Sequence, residues 1–279
     1  MVPALLILLV MLGYPIAYTL RISVSQLDLA TFLPEEFVGL ANYARVLSDP
    51  AWWHSVKVTV IYLALALPIQ MFLGVAIAYL LNAVWIGGKV VRALFLIPMA
   101  IAPVVAGGIW KMLLEPLWGV INYALGLVGL GPYTWLADPT LAMVSVVIID
   151  TWRWTPLIIL IAAAGIATLP KSPLEAARVD GASWWQRLWH VELPMLMPVL
   201  MAAFIVRWLG AIKMFDIILA STQGGPGAAT SVVNLYIYNK AFRSLEFGTS
   251  SAMAILTLLA ALILTALFLR INRYLERRW

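Results

Sequence analysis

The sequence predicts an all-α polytopic membrane protein with six transmembrane helices. Of its 279 residues, 63% are hydrophobic and 11% are charged, and the mean hydropathy is +0.96. Soluble domains carry about 25% charged residues, so this chain lacks the polar surface that a water-soluble globule needs. Its apolar residues also fall in blocks of about 20, the number that a helix needs to cross the hydrocarbon core of a bilayer. These observations exclude a soluble enzyme.

Each predicted span is an apolar stretch bounded by polar or charged residues. We expect one domain over 1–279, with spans at about 2–20, 56–81, 93–114, 141–168, 195–220 and 252–269. If both termini are cytoplasmic, Lys and Arg are more frequent in the cytoplasmic segments than in the outer ones. The positive-inside rule therefore favours this orientation.

Neither a metal site nor a nucleotide site is predicted. The chain contains no cysteine and two histidines, His54 and His190, and neither histidine has a His, Asp or Glu at helical ligand spacing. Glycines occur, but no Gly-Lys-Ser or Gly-Lys-Thr sequence follows a glycine-rich turn, so a phosphate-binding loop is excluded.

The longest predicted cytoplasmic segment, 169–194, has the pattern of two short helices joined by a turn. Ser172 and Glu175 are spaced as a capping box, which predicts a helix from 173 to about 180. Gly181 then predicts a left-handed residue that ends this helix. We expect a second helical segment to begin at Ser183.

The same segment resembles the EAA loop of binding-protein-dependent ABC importer permeases. The motif residues present at the expected offsets are Glu175, Ala176, Ala177, Gly181, Leu193 and Pro194. Segments 37–43, 92–98 and 222–230 are similar to the maltose-transporter-like, carbohydrate branch of that family. The resemblance implies a type I ABC importer transmembrane domain, in which this loop forms a coupling helix seated in a cleft of the ATPase subunit. The implied ATPase-coupling residues are Glu175, Ala176, Ala177, Asp180, Gly181, Leu193 and Pro194. The alternative is an amphipathic helix that lies at the membrane interface.

Charged residues inside two predicted spans indicate a polar interior, because a charge at the bilayer centre normally faces other helices or an aqueous cavity. Two sets of residues each share a helical face by their spacing: Asp150, Arg153, Trp154 and Leu157, and then Arg207, Gly210, Ala211 and Met214. In the resembled family these two helices hold the sugar, so the resemblance implies that the eight residues bind substrate. The alternative is a structural ion pair between Asp150 and either arginine.

The resemblance therefore implies a permease subunit of an ATP-driven importer for a sugar or oligosaccharide, in the cytoplasmic membrane of a bacterium or archaeon. Its implied partners are a second permease, two ATPase subunits that hold ATP and magnesium, and an external solute-binding protein. No catalytic residue, metal, cofactor or nucleic acid is expected in this chain. The alternatives are a same-family permease for glycerol phosphate or another non-sugar solute, an ion-coupled secondary transporter that uses Asp150, and a membrane scaffold.

Overall fold

The computed structural model describes the backbone of residues 2–27, 35–83 and 88–276, and the side chains of 10–27, 35–82 and 93–273. The described helices are α1 (Val2–Ser23), α2 (Ala41–Ser48), α3 (Pro50–Ala83), α4 (Gly88–Ala100), α5 (Pro103–Leu113), α6 (Val120–Gly126), α7 (Pro139–Ala167), α8 (Lys171–Val179), α9 (Trp184–Arg187), α10 (Leu193–Ala211), α11 (Asp216–Ser221), α12 (Val233–Tyr238) and α13 (Phe247–Glu276). Two π-helical segments, Leu188–Glu192 and Asn239–Arg243, and a two-stranded antiparallel ribbon of β1 (Ser25–Gln26) and β2 (Glu36–Phe37) complete the described elements.

Four described helical segments are long and apolar enough to cross a membrane. They are Pro50–Asn82, Pro139–Ala167, Trp184–Ala211 and Phe247–Arg273, and the bent pair formed by α4 and α5 makes a fifth candidate. Helix α1, with 22 residues, occupies the position of the first predicted span. The all-helical membrane fold is therefore confirmed, whereas the count of six spans in one domain stays a prediction. Met1 and residues 277–279, which include the two chain ends, lie outside the described residues.

The third predicted span, 93–114, is wrong as one continuous helix. Helices α4 and α5 meet at an angle of 102°. Pro103 opens α5, and Ala102 before it has the extended backbone that a residue preceding proline favours. The break leaves the carbonyl of Ile101 outside the regular helical hydrogen bonding, and this carbonyl accepts a hydrogen bond from the side chain of Arg153 instead.

The helix at the fifth predicted span, 195–220, has different bounds, and the span itself stays a prediction. Its helix begins earlier, because α9 and the following π-helical segment run into α10 as one segment of 28 residues from Trp184. The π-helical turn precedes Pro194, whose ring would clash with the carbonyl four residues earlier in a regular α-helix. The helix ends at Ala211, and α11 begins separately at Asp216.

The core is organised around α3 and α7, which run side by side in the same direction. Tyr62 contacts Asp150, Gly74 lies against Ile158, and Ala78 packs near Ala162, so the contacts advance along both helices together. A β-carbon on Gly74 would lie 2.5 Å from Cγ2 of Ile158. Only glycine allows this close approach of the two helices.

Helix α8 does not begin with the predicted capping box. It starts at Lys171 after Pro170, and no side chain caps its first turn. Pro170, with a φ of −59° and a ψ of +133°, is the N-cap residue, so Ser172 lies inside the first turn. The predicted end is confirmed: Gly181 has a φ of +75°, and the amides of Gly181 and Ala182 close a Schellman motif.

Candidate functional site

A buried cluster of four polar side chains joins α3, α7 and α10. Asp150 of α7 forms an ion pair with Arg207 of α10, and both side chains are almost completely buried. Oδ2 of Asp150 also accepts hydrogen bonds of 2.7 Å from Tyr62 and from Gln70 of α3. Nε of Arg207 donates to Gln70 Oε1 at 2.6 Å, and its Nη2 donates to the Tyr62 hydroxyl at 3.2 Å. The cluster thereby neutralises one negative and one positive charge inside the helix bundle.

Trp154 lies next to two guanidinium groups beside this cluster. The guanidinium carbon of Arg153 is 4.6 Å from the centre of the indole ring, and that of Arg207 is 5.2 Å from it. Both distances are within the range of cation–π attraction. The indole itself is half-buried, so one part of its surface remains open.

Arg153 also connects this site to the break between α4 and α5. Its Nε donates a hydrogen bond of 3.0 Å to the carbonyl of Ile101, which lies in the break. Its Nη1 is buried without a hydrogen-bond partner, and so is Nη1 of Arg207. Two desolvated N–H groups that have no protein partner are costly unless something else accepts their hydrogen bonds.

The eight residues predicted to bind substrate do not all lie together. Asp150, Arg153, Trp154 and Arg207 are linked by the ion pair and by the two cation–π contacts. Gly210 lies beside them, because a β-carbon there would be 3.4 Å from Nη1 of Arg207. Leu157 is half-buried one turn further along α7. Ala211 and Met214 instead pack in the apolar core with Tyr62.

Sequence reasoning missed Tyr62, Gln70 and the carbonyl of Ile101. The first two are the polar side chains of α3 that reach Asp150, eight positions apart and so close to the same helical face. A search for uncharged polar residues inside the apolar span would have found Gln70. The role of the Ile101 carbonyl has no signal in the sequence, because any residue carries that group.

The predicted docking helix α8 projects from the bundle, and none of its residues is buried. Glu175, Ala176 and Asp180 are exposed, and Val179 exposes 87% of its surface. Leu193 and Pro194 lie apart from this surface, in the first turn of α10. The segment after α8 is fixed by the capping box of Ser183 and Gln186, with bonds of 2.8 and 3.3 Å.

Solved structures show which fold the chain has. The chain superimposes with a TM-score of 0.85 on a chain of a bacterial ABC transporter that imports the acidic polysaccharide alginate, at 20% identity, covering 98% of this chain and 93% of the other. A TM-score of 0.57 relates it to a chain of the MetNI methionine ABC transporter, at 17% identity and covering 82% and 99% of the two chains. The fold is that of a type I ABC importer transmembrane domain.

The chain belongs to the family of binding-protein-dependent transport system inner membrane components, whose model matches residues 70–279. It is 37% identical to the trehalose/maltose transport system permease protein MalF of Thermococcus litoralis, over 98% of this chain and 92% of the relative. It is 34% identical to the sn-glycerol-3-phosphate permease UgpA of Agrobacterium fabrum, over 99% and 93% of the two chains. The chain is therefore a multi-pass, non-catalytic permease component, and ATP hydrolysis belongs to a separate subunit.

Proposed function

We propose that this permease carries a sugar or oligosaccharide, and that the solute contacts the indole of Trp154 on its way through the membrane. The observation that supports the proposal is the half-buried indole next to two guanidinium groups, each of which has a buried Nη1 without a hydrogen-bond partner. An aromatic face stacks on the apolar face of a sugar ring, and guanidinium N–H groups donate to hydroxyl oxygens. The similarity to the trehalose/maltose permease favours the same solute class.

The neighbouring helix breaks suit a transport pathway. Irregular backbone is tolerated at membrane depth only where protein buries it or where it lines a cavity. The break at Ile101 is tied to Arg153, and Asn234 donates a 2.6 Å hydrogen bond to the carbonyl of Ile212 in the break between α10 and α11. We therefore assign Asp150, Arg153, Trp154, Leu157, Arg207 and Gly210 to the solute pathway, with Ala211 and Met214 as the packing beneath it.

The proposed coupling runs from α8 to this site. Docking of α8 in a cleft of the ATPase subunit uses Glu175, Ala176, Ala177, Asp180 and Gly181. The helical segment Trp184–Ala211, about 40 Å long at 1.5 Å per residue, then reaches Arg207 without interruption. A movement of α8 imposed by ATP-driven closure of the ATPases is thereby transmitted to one wall of the solute site.

The proposed assembly contains this chain, a second permease, two ATPase subunits that bind ATP and magnesium, and an external solute-binding protein. Both termini of this chain face the cytoplasm in that arrangement. Leu193 and Pro194 act in it as the junction between the coupling segment and α10, because they form the first turn of that helix.

The experiment is uptake of radiolabelled trehalose and maltose by proteoliposomes that contain the complete transporter. Trp154→Ala should reduce uptake about tenfold, the effect of losing roughly 1.4 kcal/mol of solute interaction. The matched control is Trp152→Ala, because Trp152 lies two residues earlier in α7 and packs edge-on against Trp110. Equal uptake by both variants, with intact ATPase binding, would contradict the proposed site.

A second candidate solute is glycerol phosphate or another anion. It is favoured by the guanidinium group of Arg153, whose buried Nη1 has no hydrogen-bond partner, and by the similarity to UgpA. Guanidinium groups bind phosphate through paired hydrogen bonds. Uptake of sn-glycerol-3-phosphate, but not of trehalose or maltose, that is lost in Arg153→Gln would replace the sugar with an anionic solute.

A further inference from the structure

The segment 115–138, which we name the α6 cap, connects α5 to α7 at the end of the bundle opposite to α8. It contains α6 and no membrane-spanning helix. Helix α5 ends at Leu113, and α7 begins at Pro139 and runs toward α8. Both flanking helices belong to candidate spans, so the cap lies within a few residues of the membrane surface.

The α6 cap is a folded unit with its own polar centre. The side chain of Asn122 donates to the carbonyls of Pro116 and Tyr133, at 3.2 and 2.9 Å. Its Oδ1 accepts bonds from the amide of Tyr133 at 3.2 Å and from the indole of Trp135 at 2.9 Å. One buried amide thus fixes both halves of the segment, and the outward residues are held in place.

The outward surface of the α6 cap is apolar. Leu117 exposes 92% of its surface, Leu127 72% and Tyr123 71%, and Trp118 and Val128 are similarly exposed. No charged residue occurs between Glu115 and Asp138. An exposed apolar patch that is this continuous marks an interaction surface.

The two acidic residues that border the cap accept hydrogen bonds from the backbone of this chain. Oε2 of Glu115 accepts hydrogen bonds from the amides of Leu117 and Trp118, at 2.7 and 3.1 Å. Asp138 caps α7 by accepting from the amides of Thr140 and Leu141, at 2.9 and 2.8 Å. A protein interface is normally surrounded by a polar rim, whereas the two acidic side chains at this border are engaged by backbone amides of the same chain.

We propose that the α6 cap is a non-spanning membrane anchor that lies in the headgroup–acyl boundary of the leaflet opposite to α8. Exposed tryptophan and tyrosine side chains among aliphatic ones are typical of the membrane–water interface. The exposed apolar side of α5, with Val105, Ile109 and Met112, leads directly to the cap. The irregular backbone around Pro132 requires a shallow position, because unpaired backbone groups are not tolerated in hydrocarbon. This inference needs only the membrane embedding and does not depend on the solute.

The test uses the absence of cysteine from the chain. Leu127→Cys is labelled with bimane in the complete transporter, in nanodiscs of phosphatidylcholine and phosphatidylglycerol, and quenched by iodide or by lipids that carry a nitroxide. Glu36→Cys, exposed at the same end of the bundle, is the aqueous control, and Leu262→Cys in α13 is the deep control. The unsubstituted chain gives the labelling background of the partner subunits.

We expect a nitroxide near the headgroup to quench Leu127→Cys at least about twofold more than Glu36→Cys, and iodide to quench it less. A nitroxide near the bilayer centre should quench Leu262→Cys more than Leu127→Cys. Strong quenching by iodide without quenching by lipid would show a water-exposed surface and overturn the proposal. Protection from every quencher in the complete transporter would show that another subunit covers the cap, which would overturn it as well. Val128→Cys repeats the measurement and guards against a local effect of one substitution.

Discussion

The buried ion pair predicts a specific dependence of stability on Arg207. Arg207→Met leaves the carboxylate of Asp150 buried, with hydrogen bonds from Tyr62 and Gln70 but without its cation. Removing one partner of a buried pair costs about 3–5 kcal/mol. Adding Asp150→Asn removes the uncompensated charge and keeps an oxygen that accepts both hydrogen bonds. We expect the double variant to recover about 2 kcal/mol of the loss, the size of coupling seen between contacting residues.

The assay is the melting temperature of the tagged transporter, followed by fluorescence-detected size exclusion. At roughly 2–4 °C per kcal/mol, Arg207→Met should lower it on the order of 10 °C, and the double variant should lie about halfway back. Arg153→Met is the control, since Arg153 donates to a backbone carbonyl and leaves no buried carboxylate unpaired. An Arg207→Met variant as stable as the unsubstituted chain, or a double variant as unstable as the single one, would show that Arg207 does not compensate a buried charge on Asp150.

Three further predictions concern packing and capping. Gly107→Val should cost about 1–3 kcal/mol of stability, because its β-carbon would lie 2.8 Å from Cβ of Ala220 and from the carbonyl oxygen of Ile217. The control is Gly108→Val in the same helix, where a β-carbon meets open space. Equal melting temperatures of the two variants would contradict the packing of α5 on α11. Gly74→Ala should cost a similar amount, because its β-carbon would lie 2.6 Å from Cβ and 2.5 Å from Cγ2 of Ile158; a melting temperature equal to that of Gly108→Ala would contradict this close contact of α3 and α7. Ser183→Ala should cost about 1 kcal/mol of local stability and raise the rate of amide hydrogen exchange in α9 severalfold, because it removes the N-cap of that helix. Ser172→Ala should leave the exchange rate of α8 unchanged, because Ser172 does not cap it. Faster exchange in α8 with Ser172→Ala, and none in α9 with Ser183→Ala, would show that Ser172 is the capping residue.

The sequence carries the parts of the fold that depend on composition and local pattern. The apolar blocks locate α3, α7 and α13 because a long run of nonpolar side chains is stable as a helix in lipid whatever its neighbours are. The left-handed residue at Gly181 is equally local, since a side chain there would be strained.

The helix breaks could not be predicted, because proline alone does not decide them. Pro68 and Pro156 lie inside the continuous helices α3 and α7, whereas Pro103 opens a new helix after a sharp bend. The difference depends on tertiary partners: the guanidinium of Arg153 binds the carbonyl that the bend leaves free. The sequence gives no sign of that distant partner.

In the candidate site, too, the sequence predicts what depends on one helix but not what depends on contacts between helices. Helical spacing predicts that Asp150, Arg153 and Trp154 share a face, and the structure places them together. It does not predict which arginine pairs with Asp150, because that choice is made by Tyr62 and Gln70 on another helix. For a similar reason, spacing alone does not predict that Ala211 and Met214 pack in the apolar core whereas Gly210 lies beside Arg207.

Coupling of this permease to an ATPase through α8 is tested by co-purification of the ATPase subunit with the tagged chain. The double substitution Glu175→Lys and Gly181→Pro changes the exposed charge of α8 and forbids its left-handed end. Glu36→Lys, an equally exposed reversal of charge at the opposite end of the bundle, is the matched control. We predict that ATP-hydrolysing activity accompanies the unsubstituted chain and Glu36→Lys, but not the α8 variant. Equal ATPase activity with all three chains would contradict coupling through α8.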